Sequence, residues 1–240
     1  VQISITILIF LPAISFFTIK NINILSREKN DEVIKNEDNL IKSWKRNEVV
    51  KDFKFYTILP CLMAPAFIIT GIAIYQSFIN ESKGWGEYTM AKGFMVYAIL
   101  TVVTLFLSGL LVDKFSSRKL LLYFNMPMLL GLIVLIFFKA PYTALIFMGL
   151  IGITNGFTNI LISSLWAEIY GVNYLGGIKA LTGALMVFST ALATTVFGLL
   201  IDFGHSIESI SIICSIYVVI STAIIAIFQN KYNPVLINKT

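Results

Sequence analysis

A chain of 240 residues that is 57% hydrophobic and 13% charged, with mean hydropathy +0.84 and a net charge of +5, has too little polar surface to cover itself as a water-soluble domain. Its single histidine, His205, and its two cysteines, Cys61 and Cys214, give no metal constellation, disulfide framework or nucleophile–base pair, so no enzyme and no cofactor is expected. The basic residues are spread between hydrophobic runs rather than gathered with exposed aromatics, which speaks against a nucleic-acid partner.

Lipid is the remaining solvent. A helix needs about 20 apolar residues to cross about 30 Å of hydrocarbon, where backbone groups must satisfy one another. Seven runs meet that requirement. The first, Val1–Ile19, lacks a basic leader and a small-residue cleavage site, so it is expected to be a span at a fragment boundary rather than a signal peptide. The polar stretch 20–52, rich in Asn, Lys and Glu, has the composition of a flexible linker. At its end Leu40, Ile41 and Trp44 can share one helical face. That pattern fits either an interfacial helix on an anionic leaflet or a solvated linker with one anchoring Trp.

The second run, Phe55–Phe78, contains Pro60 and Pro65, which can bend it into a gate, and carries Gln76 beside Tyr75 near its outer end. Ala91–Val112 follows, with Tyr97, Thr101 and Thr104 along one stripe, and then Leu120–Phe138. The fifth run, Tyr142–Trp166, places Asn155, Asn159 and Ser163 four residues apart on one face, interrupted by Gly149, Gly152 and Gly156. Ala180–Ile201 and Ile210–Phe228 complete the set.

Lysine and arginine sort these spans. Nine lie between Lys20 and Lys54, and the side that holds them also receives Lys114, Arg118, Lys119, Lys179, Lys231 and Lys239. Only Lys83, Lys92 and Lys139 fall on the other side. The positive-inside rule then places the linker and the carboxyl terminus in the cytoplasm. Trp85 and Tyr88 outside, and Trp166, Tyr170 and Tyr174 inside, are expected as interfacial aromatic belts.

Between the third and fourth runs stands GLLVDKFSSRKLL, with Gly109, Asp113, Lys114, Arg118 and Lys119. This segment resembles the cytoplasmic loop motif of the major facilitator superfamily, except that Ser116 stands where glycine is commoner. WAEIYGVNYLGGIKALTGALMVFSTALATTVFGLLIDFG, from Trp166 to Gly204, is similar to the tenth and eleventh helices of many bacterial members, although Ala193 and Thr194 replace a common proline. ITGIAIYQSFINESKGW resembles their seventh helix.

The resemblance implies an all-α membrane fold. Its expected parts are the last helix of an amino-terminal half (1–19), a cytoplasmic linker (20–52), a six-helix carboxyl-terminal half (53–230) and a cytoplasmic tail (231–240). It implies secondary active transport of a small solute by rocker-switch alternating access, in partnership with the lipid bilayer and an amino-terminal six-helix half. An organic anion is the candidate solute class and a bacterial inner membrane the expected location. The alternative is a non-transporting receptor or scaffold on the same fold.

Gln76, Tyr97, Asn155, Asn159 and Ser163 are the cavity candidates, the other reading being hydrogen bonding that only holds the bundle together. Gly109, Asp113, Lys114, Arg118, Glu168 and Lys179 are the gating candidates. In that reading Gly109 permits close helix approach, Asp113 pairs with basic groups nearby, and Lys179 meets Glu168 or Asp113. Simple obedience to the positive-inside rule is the competing account of the basic residues.

Overall fold

The computed structural model describes residues 42–233. The run Val1–Ile19, the linker residues before position 42 with Leu40 and Ile41, and the tail from position 234 lie outside the described residues. The helices are α1 (Arg46–Val49), α2 (Phe53–Ile74), α3 (Gln76–Lys83), α4 (Thr89–Phe115), α5 (Ser117–Leu120), α6 (Met126–Phe137), α7 (Tyr142–Tyr170), α8 (Leu175–Asp202) and α9 (Ile207–Phe228). A 3-10 turn, Gln229–Lys231, closes the series. Among the described residues, five helices are long and apolar enough to cross a membrane: α2, α4, α7, α8, and α9 with its 3-10 turn.

The fourth expected run is broken. Its helix α6 has 12 residues, about 18 Å of rise, and is preceded by a loosened stretch from Leu121 to Asn125 in which i→i+3 bonds replace part of the α-helical ladder. Pro127 explains the break, because it lacks an N–H for the carbonyl of Tyr123 and its ring crowds that turn. By contrast α8 runs unbroken through Ala193 and Thr194, as expected of a helix without proline there.

Pro60 and Pro65 both sit inside α2, yet the helix is continuous. Pro65 leaves the carbonyl of Cys61 without its helical donor, and the buried Asn125 carboxamide donates to it at 3.1 Å. The Tyr217 hydroxyl donates to the neighbouring Pro60 carbonyl at 2.7 Å. The prolines are thus pinned by α9 and by the start of α6, and the one interruption of this span comes later, at Tyr75 between α2 and α3.

Two helices occupy the centre. α7 packs against α4 and α6, α2 packs against α8 and α9, and α6 and α9 pair at the back. The closest approach is the seam between α4 and α7. A Cβ on Gly152 would lie 2.6 Å from the Tyr97 carbonyl oxygen, and one on Gly156 would overlap the Thr101 carbonyl oxygen. Backbone cannot yield as a side chain can, so these glycines set the interhelical distance. Thr101 crosses the seam and donates to the Gly152 carbonyl at 3.1 Å.

Buried apolar side chains form two clusters. One, around Ile68, Met128, Phe147, Phe197 and Val218, fills one end of the bundle, and the other, around Phe55, Leu62, Leu165, Trp166 and Ile225, fills the other. The second cluster corrects two sequence expectations. Trp166 and Tyr170 are buried and stacked on each other at 5.6 Å, so they are core residues rather than belt residues. Trp44 meets Tyr170 edge-on and its backbone N–H donates to the Tyr170 carbonyl at 2.9 Å, so the linker is docked on the bundle from this point onward. Tyr232, just beyond the last span, donates to the Thr57 hydroxyl, and burial pushes its phenol above the ordinary value.

Lys83 is the other departure. It lies at the end expected outside, but its side chain is fully buried, donating to the Leu135 carbonyl at the end of α6 and pairing with Glu208 at 2.8 Å. An ammonium at a helix carboxyl terminus and a carboxylate at a helix amino terminus both suit the helix dipoles. Trp85, expected in a belt, is likewise buried and donates to the Lys139 carbonyl at 2.6 Å.

The seam makes a direct prediction. Gly156→Ala is expected to cost about 1–3 kcal/mol by forcing α4 and α7 apart, whereas Gly176→Ala, whose Cβ would meet open space, is expected to be neutral. Thermal unfolding of the detergent-solubilised protein separates the two.

Candidate functional site

The sequence candidates fall into two places, one at the basic end of the bundle and one at its middle. At the basic end α4 stops at Phe115 and the chain turns through Ser116, which has φ +67° and ψ 137°. Such a conformation suits glycine and costs another residue about 1–3 kcal/mol. It brings three donors onto one carboxylate. Glu168, near the end of α7, accepts from the Ser116 hydroxyl at 2.5 Å, from the Arg118 Nε at 2.6 Å, and from the Ser117 N–H at 2.9 Å. The Ser117 hydroxyl adds a bond to Ser164 at 2.7 Å.

The same network reaches further round the bundle. Arg118 Nη1 donates to the Asn233 side chain at 2.8 Å, and the Lys54 ammonium at the start of α2 donates to the Asn233 carbonyl at 2.8 Å. Four helix ends are therefore joined through one Arg and one Asn.

Other gating candidates stand apart. Asp113 is exposed and has no hydrogen bond or ion pair among the described residues, and a Cβ on Gly109 would meet nothing within 4 Å. The expected close approach at Gly109 and the expected pairing of Asp113 are thus not made within this bundle. Lys179 is exposed and does not meet Glu168, whose oxygens are taken by the α4–α5 turn. Lys114 lies over the ring of Phe115 at 5.4 Å.

At the middle, the α4–α7 seam carries the polar stripe. Tyr97 is half-buried, with its hydroxyl beside the side chains of Thr101 and Asn155. Asn159 is exposed on the bundle surface and donates to the Asn155 carbonyl one turn back at 3.0 Å. Ser163 continues the pattern with a 3.4 Å contact to the Asn159 carbonyl. Asn155 is the fourteenth residue of a 29-residue helix, so the stripe starts at the middle of α7 and runs toward its Tyr170 end. Gln76 is not part of it. It follows the break at Tyr75, half-buried and without a hydrogen bond among the described residues, while Tyr75 itself donates to the Thr194 carbonyl of α8 at 2.9 Å.

A family model described as Major Facilitator Superfamily matches residues 3–194. The chain belongs to that superfamily. No curated protein and no solved structure gives a match. As a superfamily member it is an integral membrane protein of a transporter family, all-helical over its described residues, with the lipid bilayer as its solvent and small solutes as the cargo of its kind.

Within this superfamily member, sequence reading missed the connections made by Ser116, Asn233 and Lys83. A clue existed at Ser116, where glycine was expected and where the backbone takes a glycine conformation. No comparable clue marked Asn233, whose partners lie 115 and 179 residues away in sequence.

The turn predicts an order of stability. Ser116→Ala keeps the strained backbone and removes the bond to Glu168, so it is expected to lose about 1–2 kcal/mol. Ser116→Gly removes strain and bond together and is expected to stay within about 1 kcal/mol of the parent. Apparent melting temperatures should place the parent and the Ser116→Gly variant together, with Ser116→Ala below both.

Proposed function

We propose that residues 53–230 act as one half of a secondary active transporter that moves a small solute by alternating access, with an amino-terminal six-helix half facing the open side of α4, α7 and α8. The observation that carries this reading is Asn159, an exposed carboxamide near the middle of a membrane-spanning helix. A polar group at that depth is costly against lipid and favourable beside water or a protein partner. Tyr97, Thr101 and Asn155 extend the same polar surface into the seam.

In this proposal Tyr97, Asn155, Asn159 and Ser163 line the solute path and Gln76 marks its outer margin at the α2–α3 break. Gly109 and Asp113 share one face of α4, four residues apart, and are left for the other half to meet. Their contact would form in one access state and break in the other, and would thereby bias the two-state equilibrium. The Glu168–Arg118 network keeps the helix ends of this half together while the contact changes. The basic end is cytoplasmic by the positive-inside rule, and a bacterial inner membrane is the proposed location. Monocarboxylates and other small organic anions are the first solutes to test.

Two measurements check the reading. Cys61 and Cys214 are buried, so a single exposed cysteine reports cleanly. Asn159→Cys is expected to react with a membrane-impermeant maleimide in the intact protein, whereas Phe106→Cys, on an exposed apolar position of α4, is expected to stay unlabelled. Labelling of Phe106→Cys with Asn159→Cys protected would remove the cavity. In proteoliposomes, Asn155→Ala is expected to slow uptake of labelled monocarboxylates at least about tenfold, the effect of one lost hydrogen bond to a charged solute.

A further inference from the structure

A second concavity lies outside the solute path. At the basic end, α5 and the 3-10 turn after α9 enclose a cleft of about 500 Å³ lined by Ser116, Arg118, Lys119, Gln229, Asn230 and Asn233. It differs in kind from two other clefts of the bundle, whose walls are made of side chains such as Phe67, Val196 and Leu200, or Leu129, Ile133 and Ile216.

The cleft has more donors than acceptors to meet them. A guanidinium has five N–H groups. Arg118 spends one on Glu168 and one on Asn233, which leaves three. Lys119 is exposed and has no hydrogen bond or ion pair among the described residues, and the Gln229 and Asn230 carboxamides have no hydrogen bond among them either. Among the described residues no carboxylate lines the cleft, and Glu168, the carboxylate that pairs with Arg118, has its oxygens taken by Ser116, Ser117 and Arg118. Lys54, held on the carbonyl of the lining residue Asn233, adds positive charge beside it.

A ligand for such a place must offer several acceptor oxygens and negative charge. It must also take bonds from two sides at once, from Arg118 and Lys119 on α5 and from Gln229 and Asn230 beyond α9. A phosphate group meets these demands, because its oxygens point in several directions and pair well with arginine forks and lysine ammonium groups. The cleft opens where α4 and α9 end, at the level at which a span gives way to the polar part of a bilayer. We propose that this cleft is a phosphate-binding site, with the phosphodiester of a membrane lipid as the source that its position favours. Its occupant joins the α4–α5 turn to the end of α9 and so reinforces the link that Arg118 and Asn233 already make.

The full chain, solubilised in detergent, is titrated with dihexanoyl phosphatidylglycerol, and affinity is read by thermophoresis together with the melting temperature. Saturable binding is expected, weakened about tenfold in Lys119→Ala, the loss of one charge-assisted hydrogen bond. Lys179→Ala, which removes a different exposed lysine of the same end, is expected to bind as the parent does. Lys119→Gln serves as the second variant should the alanine form be lost in purification. Parental affinity in both Lys119 variants overturns the site. So does an equal loss in Lys179→Ala, which would mean diffuse attraction to a basic surface. Competition by inorganic phosphate at similar concentration assigns the site to soluble phosphate, and its failure to compete assigns the site to lipid. Binding is read without transport, so a protein inactive in uptake still tests the site.

Discussion

In hydrocarbon a polar group has no water to fall back on, and each must find its partner within the protein. That constraint explains most of what distinguishes this bundle from a set of greasy rods. Thr158 and Ser211 turn their hydroxyls back onto carbonyls of their own helices at 2.7 Å. The carbonyl that Pro65 deprives is met by Asn125. A buried lysine is tolerated because Glu208 and the end of α6 surround its ammonium. The rule is not complete, since the Trp166 indole N–H is buried without a hydrogen-bond partner among the described residues. Asn159 is informative in another way, its carboxamide being exposed past the middle of α7.

Under the same constraint the helices cannot rely on a hydrophobic drive to bring them together, because lipid tails are as apolar as leucine. Close backbone approach takes its place. Gly152 and Gly156 let α7 reach the backbone of α4, and Gly71 lets α2 receive the Phe197 ring of α8. The helix ends are then tied by a small number of polar bonds, Lys83 and Trp85 at one end and Glu168, Arg118 and Asn233 at the other.

How much of this could be read from the sequence depended on whether a signal was local. The order of the described apolar runs was legible because hydropathy is written residue by residue, although the fourth run forms only a short helix, and the glycine stripe of α7 was legible as a stripe. Its partner was not, since nothing in Gly152 names Tyr97. Trp166 and Tyr170 were misread because an aromatic near a span end suits both a lipid interface and a packed core, and only the approach of Phe55 and Trp44 decides between them. The loop motif was visible, but its division of labour was not: Arg118 acts within this bundle while Asp113 is left outward. Lys83 was read by its charge alone, whereas its burial depends on the end of α6 and the start of α9 lying beside it, contacts that no local pattern announces.

The separation of the apolar core into two clusters has a mechanical meaning. Along α7 the first cluster ends at Ile151 and the packing of the second begins at Phe157, so Gly152, Asn155 and Gly156 lie between them. Interlocked side chains make each end of the bundle stiff, while the waist between them is held by backbone contact and a few hydroxyl and amide groups. Side-chain meshing is therefore thinnest on α7 beside Gly152 and Asn155, whereas on α2 the two clusters meet at Leu62 and Ala64 and make that helix the rigid strut between the ends.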